Sequence, residues 1–243
     1  MVRLSVNVNK VATLRNSRGG QVPSVLDAVQ VCLAAGVAGI TVHPREDQRH
    51  ITPQDVYAIS AALRARPDVE FNIEGDPRPD LLAMVHEVRP HQCTLVPVIP
   101  GEITSQAGWS EERQGPGFDR VVGDLRARGI RVSLFVEPEA AAIRFATSLG
   151  ADRVELYTEP FARAFDAGPA AARASFARYA EAAQLAHALG MGINAGHDLD
   201  LDNLVLFRTL PHLDEVSIGH AIISRALFVG LETVVREYLA VLI

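Results

Sequence analysis

Eight times along this chain a short apolar run gives way to a longer stretch with helical spacing. The apolar runs fall at residues 4–9, 39–43, 69–74, 93–97, 130–137, 153–158, 191–197 and 215–220. The intervening stretches predict helices at 24–35, from Thr52-Pro53 onward, and at 80–88, 118–128, 139–149, 170–189, 201–210 and 221–242. A polar loop carrying Arg15, Arg18, Gly19 and Gly20 is expected ahead of the first helix. Local chemistry supports these boundaries. Gly36 stands where a helix-ending glycine turns left-handed, and Thr52 before Pro53 is a favourable N-cap and first turn. Strands alternating with helices form parallel sheets, and eight of them close on themselves. The expected fold is α/β, a single-domain (β/α)8 TIM barrel over residues 1–243. The rival, an open doubly wound sheet, would carry a GxGxxG turn after its first strand, and none is present.

Bulk properties narrow the function. A formal net charge of −6 argues against nucleic acid as a partner, because phosphates along a duplex need a basic face. An anionic substrate must then be caught by local arginines or a helix N-terminus. The two cysteines, Cys32 and Cys93, show neither CxxC nor paired spacing, so a reducing compartment is expected. With no signal-like N-terminal segment and no long apolar stretch, the expectation is a cytoplasmic protein that does not enter a membrane.

In such barrels, catalytic groups sit at the C-terminal strand ends and in the loops that follow. Those ends carry Asn7 and Asn9, His43, Glu74, Glu137, Tyr157 and Glu159, His197, and His220. A single strand-end histidine can be a cap or a satisfied core residue. Glu74 is harder to dismiss, because a carboxylate directly after FNI is costly to desolvate without a partner or a task. His43, Glu74 and His197 together suit successive proton transfers near neutral pH. Two imidazoles and a carboxylate also form a recognised facial metal set. No His-x-His, HExxH or acidic cluster accompanies them, so acid–base chemistry without metal or organic cofactor is expected.

Loops after the seventh and eighth strands are the usual phosphate site of these barrels, and here they read NAGHD and SIGHAII. Gly196 and Gly219 either let the backbone approach an oxyanion or only form tight turns. Arg15, Arg18, Arg45, Arg49 and His50 offer further positive charge in the first two loops. Small phosphorylated carbonyl compounds are the substrate class this combination fits. Lys10 is the only lysine among 23 basic side chains, which keeps a Schiff-base aldolase open as an alternative. A non-catalytic sugar-phosphate-binding barrel is the other alternative. Residues 98–117, containing Trp109, form the longest irregular stretch and a candidate lid.

With these residues in view, SVNVNKVATLRNSRGG, GITVHPREDQRHIT, FNIE, TLVP, ITSQAGW, RVSLFVEP, INAGHDL and SIGHAII resemble the pyridoxine 5′-phosphate synthase family across residues 5–230. The resemblance implies a transferase that condenses 1-deoxy-D-xylulose 5-phosphate with 3-amino-2-oxopropyl phosphate, giving pyridoxine 5′-phosphate, inorganic phosphate and water. It implies vitamin B6 biosynthesis, no metal, no organic cofactor, and a homo-octamer built from dimers. The family's acid–base set falls on His43, Glu74 and His197. Asn7 matches the position that contacts the aminoketone phosphate, and Gly219 and His220 match a phosphate-binding pair on the last loop. Arg45, His50 and Thr104 match positions that hold the pentulose phosphate, and Arg18 matches a further active-site arginine. Three places depart from the family pattern. Asn9-Lys10 stands for Asp-His in the sugar-binding segment, Asp198 for a substrate-contacting glycine, and Tyr157 for a histidine.

Overall fold

The computed structural model describes residues 1–98, 102 and 105–243. Eight parallel strands close into one barrel in sequence order. They are β1 (Arg3–Asn7), β2 (Gly39–Val42), β3 (Glu70–Gly75), β4 (Gln92–Leu95), β5 (Arg131–Val136), β6 (Arg153–Tyr157), β7 (Gly192–Gly196) and β8 (Leu213–Ile218). Closure is made by β8 against β1, with Arg3 opposite Glu215 and Val6 opposite Ile218. The expected single-domain TIM barrel is therefore the observed architecture.

Strand residues alternate between two environments, as the pleat requires. Leu4, Val6, Ile40, Ile73, Leu95, Leu134, Leu156 and Val216 are fully or almost fully buried in the layer between barrel and helices, which is the main hydrophobic core. The other face looks into the barrel and is polar, where bulky branched residues usually stack. Across the strands Ser5 shares a hydrogen bond with Thr41 (2.7 Å), and the Thr94 hydroxyl donates to Asn72 (3.0 Å). Below them Glu70 pairs with Arg3 (2.8 Å) and Arg131 (2.5 Å), while Arg153 donates to Asn194 (2.7 Å). A buried charge is tolerated only when paired. This ladder therefore plugs the N-terminal end of the barrel and leaves the other end for unpaired groups.

The helices are α1 (Asn9–Asn16), α2 (Val25–Ala35), α3 (Pro53–Leu63), α4 (Pro79–Val88), α5 (Phe118–Ala127), α6 (Ala140–Ser148), α7 (Glu159–Asp166), α8 (Pro169–Ala188), α9 (Leu204–Phe207), α10 (His220–Val229) and α11 (Leu231–Val241). Two local signals behave as expected. Gly36 ends α2 at φ 96°, and Thr52 opens α3 with a full capping box to Asp55.

Elsewhere the structure corrects the sequence reading. The expected polar loop after β1 contains α1, because the Asn7 side-chain oxygen accepts the Asn9 amide (3.0 Å) and so caps the turn, while Val11 and Ala12 bury its inner face. The expected helix over 201–210 shrinks to the four residues of α9, because the Asp200 carboxylate accepts the Asp202 and Asn203 amides (3.0 and 2.8 Å). The terminal run is two helices rather than one, divided at Gly230 (φ 87°, ψ 146°). An extra helix, α7, precedes α8 and is held by Phe161, fully buried among Phe165, Phe176, Tyr179 and Phe207. Among the described residues no helix is long and apolar enough to cross a membrane.

Candidate active site

A cavity of about 450 Å³ opens at the C-terminal end of the barrel. Of the site residues expected from the sequence, Asn7, Asn9, Lys10, His43, Arg45, His50, Glu74, His197, Asp198, Gly219 and His220 line it. Arg18 is not among them; it is exposed on the turn after α1. Thr104 lies outside the described residues. Arg15 is turned away as well, because Asp55 takes its guanidinium at 2.5 and 2.8 Å and ties α1 to α3. Trp109 is buried and packs on Phe118 with ring centroids 4.5 Å apart, which makes it a packing residue of its loop.

The ends of the first three strands are linked by hydrogen bonds. Asn7 donates through Nδ2 to Glu74 Oε2 (3.4 Å), and the Asn9 side-chain oxygen accepts the His43 amide (2.9 Å). Glu74 is buried, and its carboxyl is pushed well above the usual carboxylate range, first by burial and then by the neighbouring Glu155 and Glu215. Its surroundings therefore favour the protonated form of the carboxyl. His43 shows the opposite polarity. Burial, and then the positive field of His50, Arg45 and Arg78, push its imidazole well below the ordinary histidine range. Its buried Nε2 has no hydrogen-bond partner among the described residues, so a neutral ring waits beside the cavity.

His50 is also held neutral, with burial and then Lys10 and Arg45 lowering it to about 4. Its Nδ1 accepts the Ile51 amide (2.9 Å), so the ring hydrogen resides on Nε2, a donor suited to an oxyanion. Lys10 and Arg45 add charge on the same wall. Lys10 sits in the first turn of α1 and not on a strand, so it lacks the inward projection that a Schiff-base lysine needs.

Next to β1 on its other side, after β8, lies the start of α10. Gly219 is its N-cap without a side-chain cap, so the first amides of that helix face the cavity wall. A β-carbon at Gly219 would stand 2.8 Å from the Asn7 carbonyl oxygen, so only glycine allows this close approach. Two sets of potential anion-binding groups thus line the same cavity as the buried titratable groups His43 and Glu74.

The sequence profile of the family described as "Pyridoxal phosphate biosynthesis protein PdxJ" matches residues 4–243. The chain belongs to this family. Its curated relatives agree over almost their whole length. The pyridoxine 5′-phosphate synthase of Bacteroides fragilis is 53% identical over 239 residues, covering 98% of each chain. That of Porphyromonas gingivalis is 51% identical with the same coverage. The Leptospira biflexa protein of that name is 48% identical over 253 residues, covering 100% of this chain and 97% of its own. Among solved structures, thiamine phosphate pyrophosphorylase from Pyrococcus furiosus superposes with TM-score 0.64 at 13% identity, covering 99% of this chain and 95% of its own. A phosphoribosylanthranilate isomerase from Thermotoga maritima gives 0.60 at 14% identity, with 100% and 98% covered. At such identities the likeness is one of fold.

Several cavity-lining residues of this PdxJ family member escaped the sequence reading, Thr13, Ser105 and Ser217 among them, and one of those missed is titratable. Glu155, in the middle of β6, is fully buried on the cavity floor and one of its oxygens has no partner among the described residues. The available signal was a carboxylate inside the apolar run RVELY, the same signal that marked Glu74. Gly196 makes room for it, since a β-carbon there would meet Glu155 Oε1 at 2.5 Å. Burial raises Glu155 from the ordinary 4.5 to about 7, with Thr94 and His197 offsetting part of the rise.

The sign of the linkage follows. A carboxyl whose pKa is raised by folding helps stability while protonated and loses that contribution as pH climbs through the folded value. The thermal midpoint is therefore expected to fall between about pH 5 and about pH 8, with Glu155 and then Glu215, raised to about 8, responsible. Glu155→Gln should flatten the decline. Melting curves across that range check it, and equal slopes in variant and parent would refute the assignment.

Proposed function

We propose that this chain is a pyridoxine 5′-phosphate synthase of vitamin B6 biosynthesis. It condenses 1-deoxy-D-xylulose 5-phosphate with 3-amino-2-oxopropyl phosphate, and releases pyridoxine 5′-phosphate, inorganic phosphate and water. The observation that carries this reading is a single cavity that brings Glu74, His43 and His197 together with two sets of anion-binding groups, Lys10, Arg45 and His50 after β1 and β2, and Gly219 with His220 after β8. Two phosphorylated substrates need two such sets. Arg45, His50, Lys10 and Asn9 receive the pentulose phosphate, with Thr104 as a further contact. Asn7, Gly219, His220 and the amides of α10 receive the aminoketone phosphate.

The aminoketone supplies the amine, so imine formation requires no lysine. Glu74, protonated in the resting state, gives its proton to the departing hydroxyl of the carbinolamine. His43, neutral and buried, takes a proton during ring closure and the final aromatisation. His197 shares proton transfer during imine formation and phosphate elimination. The pocket walls exclude water from these reactive intermediates. Assembly into an octamer built from dimers belongs to the same proposal. The exposed Leu227 and Phe228 at the end of α10 are apolar surface of the kind an assembly covers.

The test is an assay with both substrates in the presence of EDTA, following pyridinol absorbance and phosphate release. Turnover is expected at the rate seen without EDTA, and His197→Asn is expected to remove it. An inhibition by EDTA that added metal reverses would overturn the metal-free mechanism. No product from intact protein would overturn the activity itself.

A further inference from the structure

His197 and Asp198 both hold positive φ, 87° and 58°, one after the other. For residues other than glycine this is a strained conformation, and it persists only where the surroundings impose it. Here they do. The buried Thr158 hydroxyl bonds to the carbonyl oxygens of Gly196 (2.7 Å) and His197. The Asn203 side chain, 2% exposed, donates through Nδ2 to the Asp198 carbonyl (3.0 Å). Tyr157 stands edge-on to the His197 ring at 5.2 Å and 81°. The clamped turn brings Asp198 Oδ2 to 3.0 Å from His197 Nδ1.

A glycine would adopt φ 58° at lower cost. A carboxylate also sets negative charge on the wall of a cavity that receives phosphates, which is unfavourable on its own. Its gain must therefore come through what it touches, and the contact it makes is with His197. The His197 hydrogen bond holds the Asp198 carboxyl below its usual range, so at neutral pH it is an acceptor only. The hydrogen of the pair consequently lies on Nδ1, and in the neutral ring Nε2 is the nitrogen without one. The Asp198 side chain is 41% exposed, so solvent screens its charge. The tautomer is set by hydrogen-bond geometry, which screening leaves intact.

We infer that Asp198 is a positioning residue for His197: its carboxylate fixes the hydrogen on Nδ1, so that in the neutral ring Nε2 is the basic nitrogen of this cavity residue. The inference rests on the synthase reading above for its kinetic consequence, but not for the pairing itself.

The test uses the full chain with 15N-labelled histidine, Asp198→Gly and Asp198→Asn, and both steady-state kinetics and 1H–15N spectra. Glycine suits the backbone at this position, so the first variant is expected to fold. In the parent protein the His197 spectrum should show the hydrogen on Nδ1. Asp198→Gly should show mixed tautomers, a kcat roughly 10- to 100-fold lower, and an unchanged or lower KM for the aminoketone phosphate, because a negative charge has gone. In Asp198→Asn the amide can donate to Nδ1, so the hydrogen should move to Nε2 and kcat should fall at least as far. A parent spectrum with the hydrogen on Nε2, or an Asp198→Gly variant that keeps kcat within about twofold while the parent spectrum stands, would overturn the inference. If the parent protein forms no product, the synthase reading falls, and the spectra of parent and variants still decide the Asp198–His197 pairing.

Discussion

Replacing Glu74 by glutamine is expected to lower kcat by about 10²- to 10⁴-fold, with KM for either substrate little changed. Glutamine has the shape of the protonated acid, the form that burial and then the neighbouring Glu155 and Glu215 favour at this position. The Asn7 Nδ2 hydrogen, donated to Glu74 across 3.4 Å, can still be accepted by the amide oxygen of the substituted side chain. Binding and folding therefore survive while the transferable proton is lost. Stability in alkaline buffer should rise, since one member of a mutually repelling carboxyl group has been removed. Steady-state kinetics and parallel melting curves separate the two effects. A kcat within about tenfold of the parent would remove Glu74 from the proposed mechanism.

Phe161→Ala should destabilise the fold by about 3–5 kcal/mol, the range for a large aromatic deleted from a closed core. Phe161 is fully buried, with Phe207 at 4.9 Å and Tyr179 at 6.0 Å, and its ring is the common neighbour of α7, α8 and α9. The consequence reaches the site. Tyr179 donates its hydroxyl to the Tyr157 carbonyl (2.6 Å), and Tyr157 packs edge-on against His197. Urea unfolding measures the loss, and in conditions where the variant stays folded kcat should fall with it. A change below about 1 kcal/mol would mean that the surrounding rings close over the gap.

Local rules made the barrel readable before any coordinates. Alternating strand and helix periods require a parallel sheet, and the Thr52 cap and Gly36 stop act within a few residues of themselves. The three proton-transfer candidates were readable for the same reason. His43, Glu74 and His197 stand at strand ends, and a closed parallel barrel brings all such ends to one face.

What each inward residue meets depends on partners far away in the chain. Glu70 and Glu74 belong to one strand, yet Arg3 and Arg131 neutralise the first at the plugged end, while the second reaches the cavity with burial and neighbouring carboxyls as its dominant influences. Glu155 and Arg15 exchanged their expected importance for that reason. Glu155 is raised into the cavity floor by the stagger of β6 against β7, where Gly196 leaves it space. Arg15 is withdrawn by Asp55, which the sequence places 40 residues away. The chain determined by itself the number of units, their order, and the end at which chemistry gathers, because these follow from short-range periodicity. Only the tertiary structure decided which charges are paired, which hydrogens sit on which nitrogen, and where Asp198 points, because desolvation and hydrogen-bond geometry are set by neighbours that sequence distance does not reveal.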